Sequence, residues 1–305
     1  MRHLLTLFDL DTEVVRTLLV RTKQLKRASR CDSALSHLLA GRVLGLIFEK
    51  PSLRTRVSFQ AAMAQVGGSS IYMAGQEAGL GTRETIADGA KVLSSYLDVI
   101  VLRTHAHASL EEFAAHSRCP VINGLSNLDH PCQALADLFT IEEHFGTLAG
   151  KTLVHVGDGN NVARAVAIAC AHLGVRFRLV APKGYTFDET FLHTLAQHFP
   201  QADVRQDLNL RTALAEADVL YTDVWTSMGQ EAEHTQRVKD FAAFQVNSAL
   251  LSLAPKKPIV MHCLPAHRGE EITGEVIDGP QSVVFPQAEN RMHLQKALLL
   301  WLLGQ

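Results

Sequence analysis

Short apolar runs of strand length alternate with helix-length stretches along almost the whole chain, and this alternation most limits what it can fold into. Strands interleaved with helices imply parallel sheets covered by helices on both faces. A helix is expected over residues 12–28, with Val15, Leu18, Leu19 and Leu25 on one face and Asp11 as N-cap. RVLGLIF (42–48) reads as a strand, then a helix from about 52 to 66, stopped by Gly67-Gly68. A strand at 69–73, a helix at 85–97 carrying Ile86, Ala90, Leu93 and Leu97, and a strand at 99–102 ending at Arg103 continue the series. PVING is a further strand, and Pro131 opens a helix running to about 144. Gly146 to Gly150 breaks the pattern. KTLVHVGDG, RFRLVAP, DVLYTDVW and PIVMHCLP then form a second strand series, with a helix at 162–173 and a last helix at 288–303. The fold class is α/β: two doubly wound parallel-sheet units joined near residue 145.

Such sheets bind ligands beyond the carboxyl ends of their strands. The polar clusters of this chain fall there. FEKPSLRTRVSF packs Lys50, Arg54 and Arg56 with Ser52 and Thr55 between a strand and a helix. A helix beginning near Ser52 offers unpaired N–H groups and a positive dipole end, and arginine grips phosphate in a fork. The plain alternative is a Ser52-capped helix whose cations face water. The buried strand before it favours the anion site. HPCQALAD puts His130 and Gln133 one turn apart at a proline-opened helix, where His can donate to a carbonyl oxygen and Gln can read an amide. Ordinary capping would produce the same letters. HCLPAHRG sets Cys263 after an apolar strand, as a nucleophile, a ligand or a buried filler. DVWTSMGQE offers Asp223 to an ammonium group and a polar Ser227-Met228-Gly229 turn.

Several classes are disfavoured. GDGNNVAR places Val162 where a dinucleotide fingerprint needs glycine, and no GxxxxGK[ST] occurs. His262 and His267 lie in no HExxH pattern, so a metal is disfavoured. The net charge of -2 provides no global field for nucleic acid or membrane. No run approaches the ~20 apolar residues of a membrane span. Five scattered cysteines (Cys31, Cys119, Cys132, Cys170, Cys263) without CxxC, and a start lacking a signal-peptide core, suit a cytoplasmic location.

Taken together and in this order, SLRTR, HPCQ, SMG and HCLP resemble the signatures of the aspartate/ornithine carbamoyltransferase family, the last two those of its ornithine branch. The resemblance extends from the first helix to AENRMHLQKALL. It implies a carbamoyl-phosphate-binding domain (1–144 plus 288–305, the final helix returning to it), an ornithine-binding domain (145–287), and an active-site cleft between them. It implies that Ser52, Leu53 through its backbone, Arg54, Thr55, Arg103, His130, Gln133, Cys263, Leu264 and Arg291 hold carbamoyl phosphate. Asn161, Asp223, Ser227 and Met228 would hold L-ornithine, with Arg103, His130, Asp223 and Cys263 nearest the chemistry. The implied reaction gives citrulline and phosphate without a metal or organic cofactor, within arginine biosynthesis or, run in the other direction, arginine breakdown, in a homotrimer or a multiple of trimers. Putrescine or N-acetylornithine as the amine, or a non-catalytic anion-binding relative, stay open. Gly79 stands where many relatives carry a longer side chain reaching a neighbouring subunit; Gln76 and Glu77 are the nearby substitutes.

Overall fold

The structure is a computed structural model that describes residues 2–28, 35–206, 209–227 and 229–305. The chain divides into unit 1, Met1–Phe139 with Asn290–Gln305, and unit 2, Thr140–Glu289.

In unit 1 four parallel strands, β1 (Val43–Phe48), β2 (Ser69–Ala74), β3 (Val99–Arg103) and β4 (Val121–Leu125), lie in the order β2-β1-β3-β4. The inner strands are covered on both faces, so β1 and β3 are apolar runs with no alternation. Edge strand β2 alternates exposed and half-buried residues at its start. Helices Ile86–Tyr96 and His107–His116 cover one face, where Phe113, Leu110 and Ala90 pack on Ile47, Ile100, Leu102 and Val121. β4 would be the other open edge. The N-terminal segment covers it through a parallel bridge of Leu4 with Ile122. The register sets Phe48 opposite Arg103, so β1 and β3 end at the same level. The strand order reverses between these two strands, which makes their carboxyl ends the switch-point position of an open sheet.

Unit 2 repeats the scheme with β5 (Thr152–Val156), β6 (Arg176–Val180), β7 (Val204–Arg205), β8 (Val219–Thr222) and β9 (Ile259–His262), ordered β7-β6-β5-β8-β9. Its core joins Val154, Val156, Leu220 and Val260 to Ile272, Val276 and Val284. The switch point lies between β5 and β8, above which stand the GDGNN turn and Asp223.

Three local expectations change. Asp11 occupies the N-cap of Thr12–Arg27, but its side chain makes no capping hydrogen bond. β7 has only two residues, too short for a hydrophobic pattern to reveal. The last helix runs from Val284 to Leu302 and so begins before residue 288. Pro286 does not stop it, because the first-turn N–H that proline lacks has no intrahelical acceptor anyway.

Phe113 is fully buried, whereas Val92 is 47% exposed. Phe113→Ala should therefore cost about 3–5 kcal/mol and lower the urea midpoint of the unit 1 transition, while Val92→Ala stays within about 0.5 kcal/mol.

Candidate active site

Ser52 is the N-cap of the Leu53–Gln65 helix, and its hydroxyl accepts from the Thr55 N–H at 3.3 Å. The capping role and the anion reading therefore coexist. The cap fixes the helix start, leaving the first-turn N–H groups directed past the end of β1. Leu53 is 76% exposed, so only its backbone can serve the site. Arg54 is half-buried and makes no hydrogen bond or ion pair among the described residues. Thr55 is buried, and its Oγ1 accepts from Arg291 Nη2 at 2.8 Å, across 236 positions of sequence. Arg56 turns the other way. It is exposed, stacks on Tyr72 with its guanidinium carbon 3.7 Å from the ring centroid, and leaves the anion cluster to Arg54, Arg103 and Arg291.

Arg103, at the end of β3, and His130 are both buried. Burial drives the His130 pKa well below the ordinary histidine value, and Arg291 and Arg103 push it further the same way. The ring is therefore neutral at pH 7, with one nitrogen as donor. Its Nδ1 meets no hydrogen-bond partner among the described residues. Gln133, one turn on, donates its amide to Asp137 Oδ1 at 2.8 Å. That bond orients the side chain and leaves Oε1 as a buried acceptor without a partner among the described residues. An acceptor of this kind suits an NH2 group. Cys132 between them is inert, because burial pushes its thiol up to about 12.

In unit 2, Asp223 is buried at the end of β8 and is held by three donors. Asn160 Nδ2 donates to Oδ2 at 3.0 Å, while Cys263 Sγ at 2.9 Å and Val224 N–H at 2.8 Å donate to Oδ1. Asn160 also caps the Asn161–Leu173 helix through its Oδ1. Asn160 thus anchors the carboxylate, while half-buried Asn161 occupies the first helical position. Ser227 is half-buried and its N–H donates to Gln230 Oε1 at 3.1 Å. Met228 lies outside the described residues. Cys263 and Leu264, expected at the carbamoyl group, belong to unit 2. Leu264 has φ 58°, a left-handed conformation costing a non-glycine residue about 1–2 kcal/mol. Neighbouring contacts hold it there: its N–H donates to His262 Nδ1 at 2.8 Å, and His262 Nε2 faces Glu271 Oε1 at 3.1 Å.

Composition and spacing did not reveal these supports. Glu271 is fully buried beneath the HCLP loop and also accepts from His267 N–H at 2.6 Å. Gln287 accepts from His262 N–H at 2.9 Å. Buried Arg237 joins Asp158 of the GDG turn (2.7 Å), the Trp225 carbonyl (3.0 Å) and Glu233 (2.8 Å), bracing both loops beside Asp223. Burial raises the Asp158 pKa, and its hydrogen bond and charge pairing with Arg237 oppose the rise. The doublet Asn160-Asn161 after a strand was the one legible signal among them.

Metal ligands are better grouped than the sequence suggested. Asp223, His262 and Cys263 offer ligand atoms within 4.8 Å of one another, as do His267, Glu270 and Glu271. In the first group, however, both His262 nitrogens and the Cys263 thiol are engaged in the hydrogen bonds above. Gly79 ends the Gly75–Ala78 helix at φ 63°, where a Cβ would lie 2.9 Å from Arg83 Cδ. Glu77 is turned onto its own helix start, accepting from Ala74 N–H at 3.0 Å. The Gln76 side chain lies outside the described ones.

Fold and residues define a two-unit α/β protein with an arginine-rich anion cluster at one switch point and a carboxylate–thiol cluster at the other. The chain matches the carbamoyl-P binding domain of aspartate/ornithine carbamoyltransferase over residues 2–143 and the Asp/Orn binding domain over 149–302. It belongs to the aspartate/ornithine carbamoyltransferase family. It is 49% identical to an ornithine carbamoyltransferase of Oceanobacillus iheyensis, over 99% of this chain and 94% of that protein. Ornithine carbamoyltransferase from Pyrococcus furiosus superposes with a TM-score of 0.93 at 47% identity, covering 99% of this chain and 97% of that one. The Thermus thermophilus enzyme gives 0.88 at 41% identity, with 99% and 98% covered.

Because burial and two arginines hold His130 neutral, its ring resonances should show no titration between about pH 6 and 8. A midpoint near the ordinary histidine value, read by NMR of ring-labelled protein, would contradict the electrostatics described here.

Proposed function

We propose that this chain transfers the carbamoyl group of carbamoyl phosphate to the δ-amine of L-ornithine, giving L-citrulline and phosphate. The observation that carries the reading is the buried set Thr55, Arg103, His130 and Arg291 beside a capped helix start, in a chain of this family. Ser52, the Leu53 backbone, Arg54 and Thr55 hold the phosphate, with Arg103 and Arg291 completing the positive cradle. Gln133 Oε1 accepts from the carbamoyl NH2, as do the backbone carbonyls of Cys263 and Leu264. Asn161, Ser227 and Met228 bind the amino-acid end of ornithine, and Asp223 with Cys263 orients the δ-nitrogen.

The δ-amine loses a proton before it attacks, since its free pKa resembles that of lysine, ~10. A C–N bond forms at the carbamoyl carbon while negative charge grows on its oxygen. Arg103, His130 and Thr55 donate to that oxygen; neutral His130 donates without adding a further cation to the cluster. The C–O bond then breaks, the electron pair leaves with phosphate, which the arginines stabilise, and the attacking nitrogen passes its surplus proton to the departing phosphate.

The finer points follow the same reading. The assembly is a homotrimer, and exposed Leu53 and Val57, one turn apart in unit 1, support an apolar contact between copies. Cys119, Cys132 and Cys170 are free buried thiols, which suits the cytoplasm, with the reaction serving arginine biosynthesis.

A colorimetric citrulline assay with carbamoyl phosphate and ornithine, putrescine or N-acetylornithine tests the substrate. Product is expected with ornithine alone, and no product from any amine would end the reading. Arg103→Ala should lower kcat about 10²–10³-fold. Cys263→Ala should keep citrulline formation at a reduced rate, whereas a carbamoyl adduct on Cys263 seen by mass spectrometry would replace direct transfer with a covalent route. Sedimentation should return three times the chain mass.

A further inference from the structure

The N-terminal segment has no part in the reaction as described, yet it is bound tightly to the loop that carries His130. Leu4 N–H donates to the Val121 carbonyl at 2.9 Å, and Asn123 N–H donates to the Leu4 carbonyl at 2.7 Å. Asn123 Nδ2 donates to the Leu5 carbonyl at 2.8 Å. The segment then turns through Leu7–Asp9, capped by Thr6, and meets Asp129. Asp129 is 2% exposed. Leu7 N–H donates to its Oδ2 at 3.2 Å and His130 N–H donates to its Oδ1 at 2.7 Å, and the Thr6 hydroxyl stands near the same carboxylate. The His130 carbonyl in turn accepts from the N–H groups of Gln133 and Ala134, starting the Pro131–Phe145 helix.

We propose that Asp129 is a positioning residue for His130: its charged carboxylate fastens the Thr6–Leu7 segment and the start of the HPCQ helix together, and this aims the imidazole. The inference rests on the carbamoyl-transfer reading only in giving the imidazole its target. An ionised carboxylate accepts from both N–H donors at once. Once protonated, it carries an O–H on one oxygen and accepts less strongly, so one of the two bonds weakens.

This change falls in an accessible range. Burial pushes the Asp129 pKa up to about 6, Asp9 adds to the rise, and the Thr6, Leu7 and His130 donors oppose it. The groups facing it supply no counter-charge at neutral pH. Asp9 comes from the N-terminal turn. His107, whose Nδ1 lies 2.8 Å from Ser126 Oγ, is kept neutral by burial. His130 is neutral, and Cys132 is a protonated thiol. The positioned form is the charged one, so kcat should fall as pH drops through about 6.

The test follows the amide 15N–1H signals of Leu7 and His130, and kcat, across this range in the full chain. Both amides should titrate with a midpoint near 6, matching the acid limb of kcat. Asp129→Asn should remove the inflection from both and lower kcat about tenfold, with the carbamoyl phosphate KM changed less than about threefold. Thr6→Val keeps the charge and deletes the nearby hydroxyl that opposes the rise, so the inflection should move up by about half a pH unit. Amides that do not titrate, a folded Asp129→Asn protein with the wild-type kcat and acid limb, or an unmoved limb in Thr6→Val would each overturn the proposal. If Asp129→Asn does not fold, the wild-type amides and Thr6→Val still decide. Absence of citrulline from the wild type would overturn the transfer reading alone, because the amide titration needs no activity.

Discussion

The parallel pairing of β1 with β3, with Phe48 level with Arg103, is the constraint on which unit 1 depends. Two strands ending at one level deliver two kinds of anion binder to one place. One is a helix start with its free N–H groups. The other is an arginine at a strand terminus with little water to screen it. A slip of one residue would turn every side chain of one strand to the opposite face. It would move Arg103 out of reach and push apolar residues of β3 out of the cluster around Phe113. The same burial that stabilises the sheet therefore fixes the geometry of the charges at its end.

Crowding Arg103 and Arg291 near His130 carries an electrostatic cost that the ring avoids by staying neutral. A third positive charge there would be paid for by desolvation and repulsion together. Unit 2 handles its buried charges differently. Arg237 meets two carboxylates and a carbonyl, and Asp223 meets three donors. Buried ion pairs of this kind add little net stability, but breaking one is costly, so they fix loop positions rather than strengthen the fold. The loops concerned, GDGNN and DVWTSMG, are those the sequence marked as polar strand ends.

The alternation of strands and helices was legible because parallel strands buried on both faces must be continuous apolar runs. The polar clusters were legible because they interrupt those runs at their carboxyl ends. The partners were not. Thr55 and Arg291 are 236 positions apart, and Arg237 and Asp158 are 79 apart. No local pattern encodes such pairs, and Arg291 entered only through the family resemblance. Asn160 and Asn161 are equivalent as letters. Helix geometry separates them by making the first the cap, with its Nδ2 left to reach Asp223. Glu271 escaped notice because the adjacent glutamates of HRGEEITGEV read as surface, yet its companion His262 draws it under the loop.

The direction of one hydrogen bond bears most on mechanism. Cys263 Sγ lies 2.9 Å from an Asp223 oxygen whose carboxylate can only accept when charged. The thiol is therefore the donor in that contact. A nucleophilic cysteine needs the opposite surroundings, with a cation or a base to draw the proton away. Among the described residues, the nearest imidazole in sequence, His262, spends Nδ1 on the Leu264 N–H and directs Nε2 at Glu271. The thiol is thus arranged to hold Asp223 in place. Direct attack by the δ-amine asks no more of Cys263 than this.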